Sequence, residues 1–588
     1  MIYSRLARIL LTVVLIAGCA PFDAPKEDKH PPAKSGVTGP GETWNKGGIV
    51  AAANPHAVAA AIEILEKGGH AVEAAIAAHA VLGLVEPQSS GLGGGAFMLV
   101  YERAEENLTF LDGRESAPAG VTVDMFVQDG EVMGFLEAWQ SGLAVGVPGT
   151  VALYKRAHDD YGKLSWAELF EPAIRLARQG FEVSPRMAKS LAYVEPIGRL
   201  DENPDTAAYF FPNGQPLQVG HLLKNPEYAA TLGRISSEGI DAFYKGEIAA
   251  AIAAAAQEEP YGGSLTVDDI AGYEVIERPV ICGKFRVQRI CTTSPPSSGV
   301  AQIMIAGIYD HLAVEAKTEQ DRIVAFVDAQ RLAYADRDHY IGDPKSVSIP
   351  LDDLLDPNYI KHRATERFAP AAIPSHGDPG KVLRGKPVAQ LLGSDKTFEA
   401  RGTTHLSIID NEGNAVAMTA TVEFYFGSGR WAHGFLLNNE MTDFAREPST
   451  DGKPVANAIV PGKRPRSSMS PTMVFDQNGE IVMVTGSPGG NSIPAYVSKS
   501  IVAVLDWGMS AQEAVDFPNI VARGERVRVE VAAESGQAIA ADLHERGYKV
   551  EEREGENSGL HVIVVRPDTL DGAADKRREG IVRTTTNH

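Results

Sequence analysis

Two threonines, Thr403 and Thr421, have the residue type and the spacing to form a nucleophilic site. A threonine hydroxyl is a weak nucleophile unless a base lies beside it, and the α-amine of the same residue can be that base once the residue is N-terminal. Such an amine titrates near about pH 7.7–8.0, so part of it is neutral at physiological pH. Thr403 follows Gly402, whose lack of a side chain leaves its carbonyl open to attack. We therefore expect the chain to cut itself between Gly402 and Thr403.

The stretch around these threonines is predicted to be a β-hairpin. Apolar and small polar residues alternate along residues 403–410 and again along 415–423, which is the period of a half-buried strand. Residues 411–413 form a three-residue loop, with glycine where a left-handed backbone is needed. This loop sets a register that pairs Asp410 with Asn414, His405 with Thr419 and Thr403 with Thr421. On the hairpin alone, an ordinary threonine-rich pair of strands is an alternative, since threonine is common in strands.

The segments around the hairpin follow a known pattern. TTHLSIIDNEGNAVAMT is followed in order by FGSG, LLNNEMTDF, KRPRSSMSPT and VTGSPGG. From Gly47 to its end, the chain resembles the γ-glutamyltranspeptidase (glutathione hydrolase) family of N-terminal nucleophile (Ntn) hydrolases. The resemblance implies an α/β fold, the αββα four-layer sandwich. It also implies self-cleavage into a large subunit, residues 47–402, and a small subunit, residues 403–588, which stay together as a heterodimer.

The resemblance also implies a role for individual residues. Thr403 would attack the substrate, and Thr421 would orient its hydroxyl. The backbone N–H groups of Gly489 and Gly490 would form the oxyanion hole. Arg114, at the end of a predicted strand, would clamp the α-carboxylate of a γ-glutamyl group, because a guanidinium can meet a carboxylate through two parallel hydrogen bonds. The other implied contacts are Ser467 and Ser468 to the α-carboxylate, and Glu423, Glu440 and Asp443 to the α-ammonium.

Such a protein would cleave γ-glutamyl amides such as glutathione through a γ-glutamyl-threonyl ester. It would transfer the group to water or to an amino-acid or dipeptide acceptor, and no metal or cofactor is implied. Two features depart from the family pattern. Glu423 stands where the family usually has asparagine, and the loop at 445–462 is short and lacks the tyrosine that closes the pocket in members with a full lid, which suggests an open site.

These departures leave two other functions open. One is a related amidase that acts on cephalosporin side chains or poly-γ-glutamate, and the other is a catalytically silent lipoprotein that binds peptides. The intact Gly402–Thr403 junction and Arg114 argue against a silent protein.

The first residues predict export. Arg5 and Arg8 precede an apolar run at 9–17. This run is shorter than a membrane-spanning helix needs, and the pattern is typical of a signal peptide over residues 1–18. The run ends in a sequence that resembles a bacterial lipobox, in which Cys19 would be lipidated, although a plain signal peptide with an incidental cysteine is an alternative. Residues 19–46 are predicted to be a flexible tether. We therefore expect a lipoprotein of the bacterial cell envelope, periplasmic and anchored to the membrane through Cys19.

Several other functions are disfavoured. A net charge of −21 provides no basic field for nucleic acid. Residues 91–96 satisfy the G-x-G-x-x-A pattern, but they lie between a predicted helix and a predicted strand, the wrong context for a dinucleotide site, so we expect these glycines to allow close backbone packing. Asp336, Asp338 and His339 form part of another family segment, yet nothing nearby completes a metal-ligand set.

The two cysteines outside the leader, Cys282 and Cys291, lie in a segment that could form a hairpin turning at Arg286 and Val287. In that register the cysteines face each other at a non-hydrogen-bonded pair, close enough for a disulfide. Arginine and valine are poor turn residues, so two free buried thiols are an alternative.

Overall fold

The computed structural model describes residues 44–388, 392, 393, 395, 397, 399 and 402–586. The predicted signal peptide, Cys19 and the tether up to residue 43 lie outside the described residues. Across the described ranges, no helix combines the length and the apolar character needed to cross a membrane.

A large antiparallel sheet carries the predicted hairpin at its centre. Seven of the described strands form it, in the spatial order Ile581–Thr584, Ile49–Ala52, Thr404–Ile409, Ala415–Thr421, Gly95–Glu102, Asn107–Gly113 and Ile276–Arg278. Strands from both sides of the predicted cleavage bond therefore alternate within one sheet. The two predicted subunits are not separate domains, since each supplies strands that pair with strands of the other.

The hairpin has the predicted register. His405 pairs with Thr419, and the Asp410 N–H donates to the Asn414 carbonyl over 2.9 Å. The ladder begins at Thr404, so Thr403 lies immediately before the first paired residue. Both strands are buried along their whole length, whereas the sequence predicted half-buried strands. Their alternation instead separates two different buried surroundings.

A second sheet packs against the first. Six of the described strands form it, in the order Leu570–Ala574, His561–Val565, Ile481–Gly486, Thr472–Phe475, Gln288–Thr293 and Val280–Phe285. Its last two strands are the predicted cysteine hairpin, which turns at Arg286 and Val287 with Arg286 at φ +54°. Cys282 faces Cys291 with 4.1 Å between the Cα atoms, and the two are joined by a disulfide. The predicted pairing is confirmed.

Helices cover the outer faces of both sheets. Leu406 and Ile408 point to a core shared with the helices Pro55–Glu66 and Ala71–Val85. Ile409 and Ala417 point the other way, into a core shared with the second sheet and with the helices Gly299–Ala313, Glu319–Tyr340 and Ile493–Leu505. Burial of each large aliphatic side chain stabilises the fold by roughly 1.5–3 kcal/mol. The order helix, sheet, sheet, helix confirms the predicted αββα sandwich.

The segment at 150–270 is mostly helical, as predicted. Its helices are Thr150–Tyr161, Glu171–Gln179, Pro185–Val194, Pro204–Phe210, Pro226–Glu238, Asp241–Tyr244, Glu247–Gln257 and Val267–Ala271. Further helices are Phe135–Trp139, Leu351–Leu355, Pro357–Thr365, Pro379–Arg384, Ala511–Asp516 and Glu534–Glu545, with 3₁₀ turns at Gly142–Ala144, Trp166–Phe170, Pro212–Gly214, Glu440–Asp443 and Gly490–Ser492.

Short strands complete the structure. Four pairs are Val127–Gln128 with Glu131–Val132, Phe181–Glu182 with Leu222–Leu223, Trp431–Ala432 with Phe435–Leu436, and Ser449–Thr450 with Lys453–Pro454. In a three-stranded sheet, Arg526–Glu530 lies between Ile520–Arg523, which is antiparallel to it, and Lys549–Arg553, which is parallel to it.

The glycine-rich segment at 91–96 packs its backbone against the end of the hairpin. A Cβ on Gly94 would lie 2.0 Å from the Thr421 carbonyl oxygen, and one on Gly93 would lie 2.2 Å from the Leu436 oxygen. No other residue type fits so close an approach. The two glycines therefore allow the backbone to pack closely against Thr421 and Leu436, as expected.

Candidate active site

The structure brings most of the predicted site residues into one small cavity. Thr403, Thr421, Arg114, Glu423, Glu440, Asp443, Ser467, Ser468 and Gly490 line it. Gly402 and Gly489 are their chain neighbours. Three further residues, Glu399, Met469 and Ile493, complete the lining and were not predicted. The space left between these groups is about 20 Å³, enough for about one water molecule. The cavity of the uncut chain is therefore nearly filled by its own side chains.

The two threonine hydroxyls are in contact. Thr403 Oγ1 lies 3.1 Å from Thr421 Oγ1. Thr421 Oγ1 also accepts the Glu423 N–H over 2.8 Å, which fixes the position of this hydroxyl beside Thr403. The hairpin register thus brings the hydroxyl of Thr403, just before the first strand, against that of Thr421, at the end of the second strand.

The peptide before Thr403 is tightly confined. A Cβ on Gly402 would lie 2.3 Å from the Glu423 carbonyl oxygen. Thr403 has φ +148°, a conformation that β-branched residues rarely adopt. Such a residue stores about 1–3 kcal/mol of strain when its surroundings hold it in place. Strain is therefore located at the bond predicted to break.

Arg578 is one of the groups that hold this peptide. Its Nη1 donates to the Thr403 carbonyl oxygen over 2.7 Å. Burial, with help from nearby Arg186, lowers the pKa of the Arg578 guanidinium to about 9. Arg578 was not predicted from the sequence, because nothing in the local sequence near the C-terminus distinguishes it from an exposed arginine.

Arg114 is buried at the end of its strand, as predicted, but its partners are carboxylates of the protein. Its Nη1 lies 2.5 Å from Glu440 Oε1, and its Nη2 lies 2.6 Å from Asp443 Oδ2. Glu115 is a third neighbour, at 3.8 Å from Nη1. Burial opposes the charge of Arg114, but these carboxylates outweigh it and raise the pKa of the guanidinium above its usual range.

The carboxyl groups around Arg114 outnumber its single charge. Burial raises the pKa of Glu115 to about 7. Burial also raises the pKa of Glu440, and the neighbouring Glu115 and Glu423 raise it further. The pKa of Asp443 is raised by burial and by Glu440. The predicted crowding of Glu423, Glu440 and Asp443 is therefore present, and Glu115, which the sequence analysis did not select, adds to it. A bound cation would relieve this repulsion.

Glu423 has an unusual backbone. Its φ is +80°, in the left-handed region, and its Oε2 accepts from the Asn439 side-chain amide. Asparagine enters this region several times more readily than most residues. This provides a conformational reason for asparagine at the position, besides any contact with substrate.

One serine of the predicted pair contacts a carboxylate that was not predicted from the sequence. Ser468 Oγ donates to the Glu399 carboxylate and accepts from Arg337 Nη2 over 2.8 Å. Ser467 Oγ accepts the Met469 N–H over 3.2 Å. The structure thus places both serines at the cavity, with one of them already bound to a carboxylate.

The two glycines assigned to the oxyanion hole have positive φ, +141° for Gly489 and +56° for Gly490. A Cβ on Gly489 would lie 2.5 Å from the Tyr496 ring. The 3₁₀ turn Gly490–Ser492 leads directly into the helix Ile493–Leu505, so N–H groups at the positive end of a helix dipole lie beside the cavity.

The short loop at 445–462 lies beside the residues that precede the cleavage bond. Its strands Ser449–Thr450 and Lys453–Pro454 pair, and the Gly393 N–H donates to the Pro454 carbonyl over 2.9 Å. Asn457 connects the loop to the site, since its Nδ2 donates to the Asp443 carbonyl over 2.6 Å.

Within the described parts of the chain, no group of His, Cys, Asp and Glu side chains is arranged to hold a metal ion. Asp336 instead forms an ion pair with Arg363 at 3.0 Å and accepts from the Tyr359 hydroxyl at 2.8 Å. Asp338 pairs with Arg337 and Arg523.

The raised pKa of Glu115 generates a stability prediction. The folded chain keeps a proton on Glu115 up to about pH 7, whereas an unfolded glutamate loses it near 4.5. The folded state therefore binds more protons between these values, and its stability falls as the pH rises. Glu115→Gln, in a Thr403→Ala background, should have a higher Tm than its parent at about pH 8 and lose that advantage at about pH 4.

The exposed Glu105→Gln is the matched control and should show no such trend. Thermal melts over this pH range are the measurement. A Tm difference for Glu115→Gln that is the same at both ends would contradict the assignment.

Comparison with known proteins agrees with this geometry. A family model described as gamma-glutamyltranspeptidase matches residues 57–585. The chain is 38% identical over 522 residues to the glutathione hydrolase proenzyme of Bacillus subtilis (strain 168), covering 87% of this chain and 86% of the relative. It is 35% identical over 592 residues to the glutathione hydrolase proenzyme of Escherichia coli (strain K12), covering 97% of both.

A solved structure shares the fold over nearly the whole chain. The cephalosporin acylase from Bacillus halodurans superposes with a TM-score of 0.80 at 27% identity, covering 97% of this chain and all of that one. Sequence and fold therefore agree, and the chain belongs to the γ-glutamyltranspeptidase family of Ntn hydrolases.

Proposed function

We propose that the protein is a γ-glutamyltransferase and glutathione hydrolase that activates itself by cutting the Gly402–Thr403 bond. The observation that carries the proposal is the contact between the hydroxyls of Thr403 and Thr421 at a strained junction. The same cavity holds Arg114 and the serine pair, a set suited to an amino acid with a free carboxylate. The similarity to glutathione hydrolase proenzymes supports the substrate class.

Self-cleavage is an N-to-O acyl shift followed by hydrolysis. The Thr403 hydroxyl oxygen attacks the Gly402 carbonyl carbon, the C–N bond breaks, and the hydroxyl proton passes to the departing amine. Water then hydrolyses the ester, which leaves a carboxylate on Gly402 and a free α-amine on Thr403. Thr421 holds the attacking hydroxyl, and loss of the strain at Thr403 favours the products.

In turnover, the same hydroxyl attacks the γ-carbonyl of the donor. The α-amine of Thr403 takes the hydroxyl proton and returns it to the leaving amine. Water or an acceptor amine then resolves the γ-glutamyl ester. The backbone N–H groups of Gly489 and Gly490 would stabilise the oxyanion, and donors of this kind typically contribute about 2.7–4 kcal/mol each.

Charge balance supports recognition of the α-ammonium. Glu115, Glu440 and Asp443 surround one guanidinium, so a substrate ammonium would compensate the excess negative charge. Binding would then favour the ionised carboxylates and release protons. A neutral acyl group would leave the repulsion in place.

The first test is self-cleavage. Wild type should appear as two fragments on denaturing electrophoresis, with Thr403 first in the smaller by N-terminal sequencing, and Thr403→Ala should stay uncut. Gly402→Ala should slow cleavage by about tenfold or more, because its Cβ meets the Glu423 oxygen at 2.3 Å. Gly233→Ala adds a Cβ with nothing within 4 Å and should cut at the wild-type rate. An active wild type that remains one chain would exclude this mechanism.

The substrate is tested with γ-glutamyl-p-nitroanilide and glutathione. A cleaved protein that ignores both and hydrolyses a cephalosporin side-chain amide would instead favour the related amidase, in line with the acylase of similar fold.

The variant Glu423→Asn removes the negative charge at this position and keeps the backbone conformation. Asparagine fits φ +80° and removes one carboxylate facing Glu440, so self-cleavage should persist. The substitution removes an attraction to the substrate ammonium and a repulsion of its α-carboxylate. Each is about 4 kcal/mol at about 4 Å and an effective dielectric of about 20, so the two effects nearly cancel. KM for γ-glutamyl-p-nitroanilide should thus stay unchanged or fall. A rise of more than about tenfold would show that the carboxylate attracts the substrate.

The location of the protein is a further part of the proposal. The leader and Cys19 support a lipoprotein anchored in the bacterial envelope. Cys19→Ser should move the protein from the membrane fraction to the soluble fraction or leave the leader uncut. A wild-type protein found wholly in the soluble fraction would rule out the anchor.

A further inference from the structure

Glu399, four residues before the cleavage bond, is held by an unusually complete set of donors. Its carboxylate accepts from Arg337 Nη2 at 2.5 Å, from Arg466 Nε at 3.1 Å and from Ser468 Oγ. Only 2% of the residue is exposed. Burial disfavours its charge, but Arg337 and Arg466 outweigh burial and lower the pKa of Glu399 to about 2. A fully ionised carboxylate therefore lies inside the protein.

The arginines that hold Glu399 are themselves buried. Arg466 has a second carboxylate neighbour, Asp395, whose Oδ2 lies 2.9 Å from its Nη1. Both acidic partners of Arg466 thus lie on the segment that precedes the cleavage bond. Arg337 keeps a different partner, since its Nη1 donates to Asp338 at 2.9 Å. Departure of the segment would remove both of these ion pairs from Arg466, which is costly where the arginine stays in the protein interior.

Glu399 occupies the same cavity as the nucleophile. It lines that cavity with Thr403, Ser467 and Gly490, and little free space remains beside it. Ser468, which donates to Glu399, is one of the two serines expected to bind a substrate carboxylate. Arg114 differs from this set, because its partners Glu440 and Asp443 lie after the cleavage bond and remain in place when the bond is cut.

We propose that Arg337, Arg466 and Ser468 form a carboxylate subsite, which Glu399 fills before self-cleavage and a carboxylate of the substrate fills afterwards. This inference rests on the proposed function. Before cleavage, Glu399 is tethered close to the subsite and competes at a high effective concentration. Cleavage makes it part of a free chain end, so a small dicarboxylate or a γ-glutamyl donor can displace it. The subsite selects acyl donors with a free carboxylate and discriminates against neutral amides.

Binding to the uncut chain tests the subsite directly. Isothermal titration of glutarate, which carries carboxylates but no amine, is compared for Thr403→Ala and for Thr403→Ala combined with Glu399→Ala. The second protein should bind glutarate about tenfold or more tightly than the first, because its subsite lacks the internal carboxylate in both charge and volume. Adding Arg466→Gln should abolish the gain.

Glu530→Ala in the same background is the matched control, since Glu530 is also a buried glutamate paired with an arginine, Arg577, at 2.5 Å. It should bind glutarate no better than Thr403→Ala. Equal affinity with and without Glu399→Ala would overturn the proposal.

A second measurement needs no substitution in the subsite. Glutarate should raise the Tm of the cleaved wild type and leave that of uncut Thr403→Ala unchanged. Equal shifts, or none in either protein, would also overturn the proposal. Hydrolysis of γ-glutamyl-p-nitroanilide by wild type is scored separately. Activity without these glutarate effects rejects the subsite alone, whereas the glutarate effects without activity reject the proposed function alone.

Discussion

The register between the strands Thr404–Ile409 and Ala415–Thr421 is the constraint on which the rest of the site depends. A slip of one residue would turn every side chain of a strand to its other face and separate the hydroxyls of Thr403 and Thr421. The register is held by the loop at 411–413 and by burial of both faces of the hairpin. It is also held by Gly94, whose backbone packs against the Thr421 carbonyl. The same register is therefore required both for packing of the core and for the position of the nucleophile.

The charges around the nucleophile form two groups, one with an excess of carboxylates and one in which buried arginines hold carboxylates that precede the cleavage bond. Among the described residues, Glu115, Glu440 and Asp443 crowd around Arg114, whereas Arg337 and Arg466 converge on Glu399. An amino acid carries a positively charged ammonium and a negatively charged carboxylate, both attached to its α-carbon. Without Glu399 and Asp395 in place, the pocket would have an acidic side and a basic side. Such a pocket suits a zwitterion and would orient the substrate while the nucleophile attacks its γ-carbonyl.

Local sequence patterns were enough to predict the hairpin register, the cysteine pairing and, through family resemblance, the αββα fold. The family resemblance, rather than any local pattern, selected the residues that the structure brings into one cavity, including Arg114 and Ser468. Local patterns could not reveal Arg466, Glu399 or Arg578, because these buried charges acquire partners only through contacts between distant segments. The expectation of half-buried strands was wrong for a related reason: alternation shows that a strand has two different faces, and it cannot show that a second sheet covers the polar one.

The interleaving of strands from residues 47–402 and 403–588 has a consequence for the lifetime of the mature protein. Once the chain is cut, the two pieces cannot separate without dismantling the sheet that both build. If they do unfold, refolding requires two molecules to meet, and it becomes dependent on concentration where it had been a property of one chain. At low concentration, a cut molecule that has unfolded will therefore rarely refold. The lifetime of the mature enzyme then depends on its rate of unfolding rather than on its rate of refolding.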